Sequence, residues 1–422
     1  MAEQPPRPTM LSLDEVLQRL LAVARDRVIP EIEKLDTFDA LGRVLARPVV
    51  SALDVPPADN SAMDGYALRT ADAPAAGSVL PVSQRLPAGV VGPALQPGTA
   101  VRIFTGAQLP AGADAVVMQE QCEAVTDAAG AGLGHVRIQV LPQLGQWIRR
   151  RGEDVQQGAE VLAAGTRLTP QALGLAAAVG ASRLTVRRRP RVALFSTGDE
   201  LVMPGESLKP GTIYNSNRFT LRGLLQAAGC EVQDLGIVPD RLDATRDALR
   251  RAAAGNDLII TSGGVSVGEE DHIKPAVKAE GWLEAWQVAI KPGKPLAFGA
   301  VRRGDTDQEA LFIGLPGNPV SSFVTCLLAV APVLRALQGC PLALPQAVSV
   351  RADFDWLQPD KRREFLRARF NADGGLDIFP NQSSGVLTSA VWADGLVDNP
   401  SGQVIRRGDA VRLLLLSSLI GA

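Results

Sequence analysis

Histidine is almost absent: His135 and His272 are the only two in 422 residues, which excludes a histidine-rich metal centre. Any bound metal is therefore expected to be a hard cation on carboxylates. Cysteine is nearly as scarce. Cys122, Cys230, Cys326 and Cys340 lie far apart and form no CxxC pair. That excludes a zinc knuckle and a disulfide framework, and it fits a reducing cytoplasm. An excess of one charge is missing too. Lys and Arg number 43 and Asp and Glu 45, a formal net charge of −2, which argues against a general nucleic-acid binder. No apolar run reaches the length of a membrane span, and the most apolar one, 320–334, follows Pro319 and reads as a buried helix. The first eight residues, Met-Ala-Glu-Gln-Pro-Pro-Arg-Pro, hold no apolar signal region.

What is present is an ordinary globular composition, 46% apolar and 21% charged, in a chain too long for one core. Three or four domains are expected. Ser12-Leu13-Asp14-Glu15 is a capping box, and Leu13, Val16, Leu17, Leu20 and Leu21 follow at helical spacing. A second helix is expected over 37–45. Prolines 48, 56 and 57 then lead into Asn60-Ser61-Ala62-Met63-Asp64-Gly65-Tyr66-Ala67, which alone reads as a loop around an acid. Short β-prone runs fill 77–140, and one ends in Phe104-Thr105-Gly106-Ala107. A helix over 169–179, with Pro170 in its first turn, is placed to return onto the N-terminal helices.

From Arg191 strands and helices alternate over roughly 145 residues, the mark of a three-layer α/β domain with a mostly parallel sheet. Ligands of such sheets bind beyond the carboxyl ends of the strands. Those ends hold Thr197-Gly198-Asp199-Glu200, Asp240, Ser262-Gly263-Gly264 with Ser266 and Asp271, and Pro316-Gly317-Asn318-Pro319. The glycine pair at Gly263 and Gly264 lets backbone amides approach an anion. Glu200, Asp240 and Asp271 are three acids suited to share magnesium with substrate phosphates. Asn217 is expected to cap a helix over 218–228 on the same rim, and Asp243 to cap the helix that ends near Ala254. Lys291-Pro292-Gly293-Lys294-Pro295 holds two lysines in a stiff loop, a candidate oxyanion clamp. Beyond Pro341, short strands return, with Arg362-Arg363-Glu364-Phe365-Leu366-Arg367 and Pro380-Asn381-Gln382-Ser383-Ser384-Gly385 holding basic and hydroxyl groups able to complete an anion pocket.

Six ordered motifs bear a resemblance. The 60–67 segment, Thr105-Gly106-Ala107, 196–201, 262–268, Lys291-Pro292-Gly293 and 315–319 together look like the molybdopterin molybdenumtransferase family of MoeA and the gephyrin E domain. The resemblance spans nearly the whole chain. It implies an α/β multidomain protein: a discontinuous elongated helical domain (1–50 and 145–185), a β-rich domain (51–144), a MogA-like α/β domain (186–340) and a C-terminal β-barrel (341–422). It also implies a homodimer in which Asp64 and Thr105 of one subunit face the α/β rim of the other. The implied reaction takes adenylyl-molybdopterin and molybdate, releases AMP with Mg2+ present and leaves molybdenum on the dithiolene. Under that reading Asp64, Thr105, Asp240, Lys291 and Lys294 are catalytic, and molybdate falls to Lys291, Lys294, Arg363 and Ser384. Gln287 stands where related sequences commonly have a basic residue; if that charge helps hold substrate, Lys291 or Lys294 must compensate here, or binding is weaker. The possible partners are a MogA-type adenylyltransferase and acceptor molybdoenzymes, with no nucleic acid and no membrane. Two rivals differ in kind: a MogA-type adenylyltransferase, usually the α/β domain alone, and a non-catalytic dimeric scaffold.

Overall fold

The computed structural model describes residues 10–125, 132–265, 272–304, 306–341 and 346–421. A seven-stranded sheet lies at the centre. Its order is Met10–Leu11, Gly281–Val288, Pro295–Arg302, Glu309–Leu315, Leu258–Ser262, Arg191–Thr197 and Glu231–Val238. The last four run parallel, and Pro295–Arg302 is antiparallel to both of its neighbours. Leu258–Ser262 is buried along its whole length, as its β-branched run predicts. Helices Ser216–Ala227 and Pro319–Thr325 cover one face, and Leu242–Ala253 and Ile273–Glu280 the other. The result is the expected three-layer α/β arrangement.

The capping-box helix forms as Leu13–Arg25, with both reciprocal Ser12 and Glu15 bonds present. Its stripe, Leu13, Val16, Leu17 and Leu20, packs into the core of the α/β domain instead of joining the 145–185 segment. The apolar run after Pro319 continues to Leu337. It changes to π geometry over Cys326–Val330 before Ala331–Leu337. Pro332 has no amide to donate and its ring crowds the preceding turn, which accounts for the change of register. At 19 residues this run is longer than expected and by length and composition alone could cross a membrane, but over its most apolar 18 residues it is 83% buried inside the protein. The four cysteines are unpaired, and burial pushes the Cys230 and Cys326 thiols up to about 12.

The segments around 32–50 and 155–187 share one small core, built from Leu45, Val49, Leu168, Ala176 and Val186. The helix expected over 37–45 is only a single turn, Thr37–Asp39. Gly42, at φ +72°, turns the chain away before a second turn can form. Between these segments a six-stranded sheet, ordered Ala115–Met118, Gly65–Leu68, Ala100–Ile103, Ser78–Leu86, His135–Ile138, Cys122–Val125, makes up the β-rich part. At the C-terminus Arg363–Phe370, Gly395–Asn399, Ala410–Leu415 and Val348–Arg351 are successive neighbours. Leu376–Ile378 pairs with the far side of the first, and a bridge from Ala352 to Leu376 closes the ring. Ile290–Lys291 adds to this barrel in parallel, opposite Arg363 and Glu364. The lysine loop therefore stitches the α/β domain to the barrel.

Candidate functional site

Residues 192–196, 258–262 and 311–315 are in register, so Thr197, Ser262 and Leu315 end on one rim, level with Val238. The chain leaves Arg191–Thr197 toward Glu231–Val238 on one side and Leu258–Ser262 on the other. That reversal opens a crevice between Thr197 and Ser262. The hydroxyls of Ser196 and Ser262 bond across it at 3.2 Å. The two glycines permit this close approach. A Cβ on Gly263 would lie 2.9 Å from the Thr197 carbonyl oxygen, and one on Gly264 2.6 Å from Ile273 and 2.9 Å from Thr197 Oγ1. Both have positive φ, +90° and +63°. Gly263 donates its own amide to Leu315 O at 3.1 Å, so this N–H is spent within the fold and is not offered to an anion, contrary to the reading of the turn.

A cleft of about 790 Å³ opens on this rim. Thr197, Gly198, Glu200, Asn217 and Asp240 line one part of it, and Ser262, Gly263 and Gly264 its floor. Lys291, Lys294, Pro316, Asn318, Pro319 and Ser384 line the rest. Ser266 and Asp271 lie outside the described residues. Asp64 and Thr105 are not among the lining residues. They sit on the β-rich part, where Thr105 donates both its amide (2.8 Å) and its hydroxyl (2.7 Å) to Asp64 Oδ1. The Thr105 backbone bond is the main cause that holds the Asp64 carboxyl below its ordinary range.

The cleft has two chemically different walls. On the acidic side Glu200 is exposed, and the Asp240 amide donates to Asp199 Oδ1 at 3.2 Å, tying two strand-end loops together. Among the described residues no group of three His, Cys, Asp or Glu side chains gathers as a metal site. On the cationic side Lys291 Nζ lies 3.2 Å from Glu364 Oε1 and 3.5 Å from Asp360 Oδ2. Arg362 forks onto Asp360 with two bonds of 2.9 Å. That fork is the chief reason the Asp360 carboxyl titrates far below its ordinary range and Arg362 above its own. Lys294 is exposed.

Two expected residues are displaced. Arg363 does not line the cleft; its guanidinium grips Asp398 at 2.6 and 2.7 Å and reaches Asp14 at 3.4 Å. Its neighbour Arg362 is the lining arginine. Asn217 does not cap its helix. Asn215 does, accepting from the Arg218 amide at 3.1 Å, while Asn217 Nδ2 donates to Gly317 O at 2.7 Å and braces the Pro-Gly-Asn-Pro turn. Similarly Asp243 lies in the first turn of Leu242–Ala253, with Arg241 at the cap. Ser384 contributes its carbonyl to the Val320 amide, at 2.9 Å, which fixes the barrel loop against the helix start. Behind that loop Arg367 is 1% exposed and reaches Ser389 Oγ and Phe365 O; burial lowers it to about 10. Ile213, Tyr214 and Asn215 line the cleft without having been expected there, and within the basic 362–367 stretch the lining falls to Arg362. Gln287, in a strand between Met10 and Pro295, lies outside the cleft lining.

Comparison with known proteins agrees with this architecture. Residues 11–180 match the MoeA N-terminal region (domain I and II), 193–336 a probable molybdopterin binding domain and 349–416 the MoeA C-terminal region (domain IV). The chain is 42% identical over 340 residues, 78% of each chain, to molybdopterin molybdenumtransferase of Haemophilus influenzae. It is 32% identical to gephyrin of Dictyostelium discoideum, covering 97% of this chain and 63% of that protein. The solved molybdopterin biosynthesis MoeA protein of Pyrococcus horikoshii OT3 superposes with a TM-score of 0.81 at 29% identity, over 96% of this chain and all of the other. By sequence and fold, this chain belongs to the molybdopterin molybdenumtransferase (MoeA) family.

Proposed function

We propose that this chain inserts molybdate into adenylyl-molybdopterin and releases AMP, with the chemistry in the cleft between the α/β rim and the barrel. The observation that supports this most is the placing of hydroxyl and amide donors, acids and cations around one 790 Å³ space. A pyrophosphate linkage calls for donors and a counter-charge. Thr197, Ser262 and Asn318, whose side chain makes no cap bond, supply donors at strand ends. Glu200 and Asp240, with Asp271, offer the hard oxygen ligands that magnesium favours, and bound there it would neutralise phosphate charge. Lys291, Lys294 and Arg362 suit a tetrahedral oxyanion, oriented by Ser384.

The working unit is a homodimer in this reading. Asp64 and Thr105 form a preassembled pair outside the cleft lining, which suits a face that completes a partner's site. Exposed Phe38 (92%) and Leu41 (55%) supply apolar surface for self-association. An adenylylating enzyme of MogA type would supply the substrate and molybdoenzymes would receive the product, in a cytoplasmic setting. The test is AMP release from adenylyl-molybdopterin with magnesium, with and without molybdate. Release that depends on molybdate is expected. Equal release in its absence, or tight binding with no release, would overturn the reading, and a light-scattering mass of one chain would overturn the dimer.

A further inference from the structure

Glu364 belongs to the barrel, yet it touches the cleft's cationic wall. Its side chain is 0% exposed. One carboxylate oxygen accepts from Trp356 Nε1 at 2.8 Å and lies 3.4 Å from Asn399 Nδ2. The other accepts from Lys291 Nζ at 3.2 Å. A carboxylate taken wholly out of water is costly unless a cation and further donors compensate it. Lys291 is that cation, and it is itself 38% exposed to the cleft. Backbone pairing brings the two together, since Lys291 is the register partner of Glu364 in the parallel stitch between domains. A second acid, Asp360, places Oδ2 between the same lysine (3.5 Å) and Arg362 (2.9 Å), so both cations lean on one oxygen. Two flexible side chains are thereby held in a single arrangement before any ligand arrives.

We propose that Glu364 is the positioning residue for Lys291, and that with Asp360 it sets Lys291 and Arg362 at the spacing that receives a tetrahedral dianion. This rests on the reading that molybdate occupies the cationic wall. Long cationic side chains lose entropy when a ligand orders them, and holding them in place beforehand removes that cost. A neutral amide at 364 offers one acceptor oxygen to three donors, so the lysine is released.

Equilibrium dialysis of molybdate against the full-length protein reads this directly, without requiring turnover. Glu364→Gln and Lys291→Ala should each weaken molybdate binding about tenfold, and the double variant no further, because one residue acts through the other. Trp356→Phe is the structural control. It removes a donor from the same carboxylate, should lower the melting temperature, and should leave molybdate affinity within about twofold. Should Glu364→Gln fail to fold, the more exposed Asp360→Asn takes its place, with weakened molybdate binding expected again. Additive losses, equal loss in Trp356→Phe, or tighter binding in Glu364→Gln would overturn the proposal, the last because the carboxylate would then be competing with the oxyanion. So would an unaltered protein that binds no molybdate. Molybdate binding without AMP release would instead sink the proposed function and leave the positioning role standing.

Discussion

The two walls of the cleft are built on opposite plans. Lys291 and Arg362 are held by Glu364 and Asp360 at 2.9 to 3.5 Å, so two of the three cations on that wall are paired within the chain itself, while Lys294 stands exposed. On the acidic wall, among the described residues, Asp240 is tied through its backbone amide alone, and Glu200 stands exposed. Carboxylates without a protein cation stay in water and wait for one, whereas cations already paired are preset for an anion that outcompetes solvent. The difference teaches where assembly happens: two cations of one wall are paired by folding, and under the proposed function the acids of the other await the cation that accompanies the substrate.

The strongest way to break this comparison is to remove each wall in turn. Lys291→Met should lower molybdate-dependent AMP release by about two to three orders of magnitude, and no concentration of magnesium should restore it. Glu200→Gln and Asp240→Asn should raise the magnesium needed for half-maximal release by about tenfold or more, with activity recovered at excess magnesium. A magnesium titration of all three variants separates the walls. If extra magnesium rescues Lys291→Met, or fails to rescue both acid variants, the division of labour is wrong.

A smaller effect tests the floor between the walls. Gly264→Ala must place a Cβ 2.6 Å from Ile273 and 2.9 Å from Thr197 Oγ1 at a φ of +63°. Urea unfolding should show a loss of about 1 to 3 kcal/mol. Stability equal to the unaltered protein would mean that the glycine pair is not needed for the close approach of the two strand ends.

How much of this was legible in the sequence depended on the range of the interaction involved. The capping box, the buried strand before Ser262 and the gathering of strand ends on one rim follow from local pattern and from the rule for open α/β sheets. The docking of Leu13–Arg25 into the α/β core was not legible, because an amphipathic stripe states that a face is buried and not against what. Arg362 and Arg363 are chemically alike and adjacent, and only the direction each side chain takes where Arg363–Phe370 begins sends one to the cleft and the other to Asp398. Asn215 and Asn217 pose the same ambiguity at a helix start. Asp64 and Thr105 are 41 residues apart, and what brings them together is long-range backbone pairing, that of Gly65–Leu68 with Ala100–Ile103 and of Ser61 with Gly106 and Ala107. Glu364 lies in the 362–367 stretch that stood out for its basic groups, but an acid after two arginines reads as a surface ion pair until its burial is known.

The smallest expected effect concerns the clamp on Arg362. The Arg362 guanidinium holds the Asp360 carboxyl far below the usual carboxylate range, so its folded pKa is depressed relative to the unfolded chain. A depressed carboxyl contributes stability that is fully present above the unfolded value, about 4, and is lost as pH falls toward the folded one. Asp360→Asn should therefore cost at most about 1 kcal/mol at pH 7, with the same deficit near pH 5. Below about pH 4 the deficit should shrink, because the unaltered protein then loses its own carboxylate contribution. Urea unfolding of both proteins across that range reads the difference directly. A deficit that does not shrink between pH 4 and pH 2 would mean that Asp360 titrates alike in the folded and unfolded chains, and the cationic wall would then be no more preassembled than the acidic one.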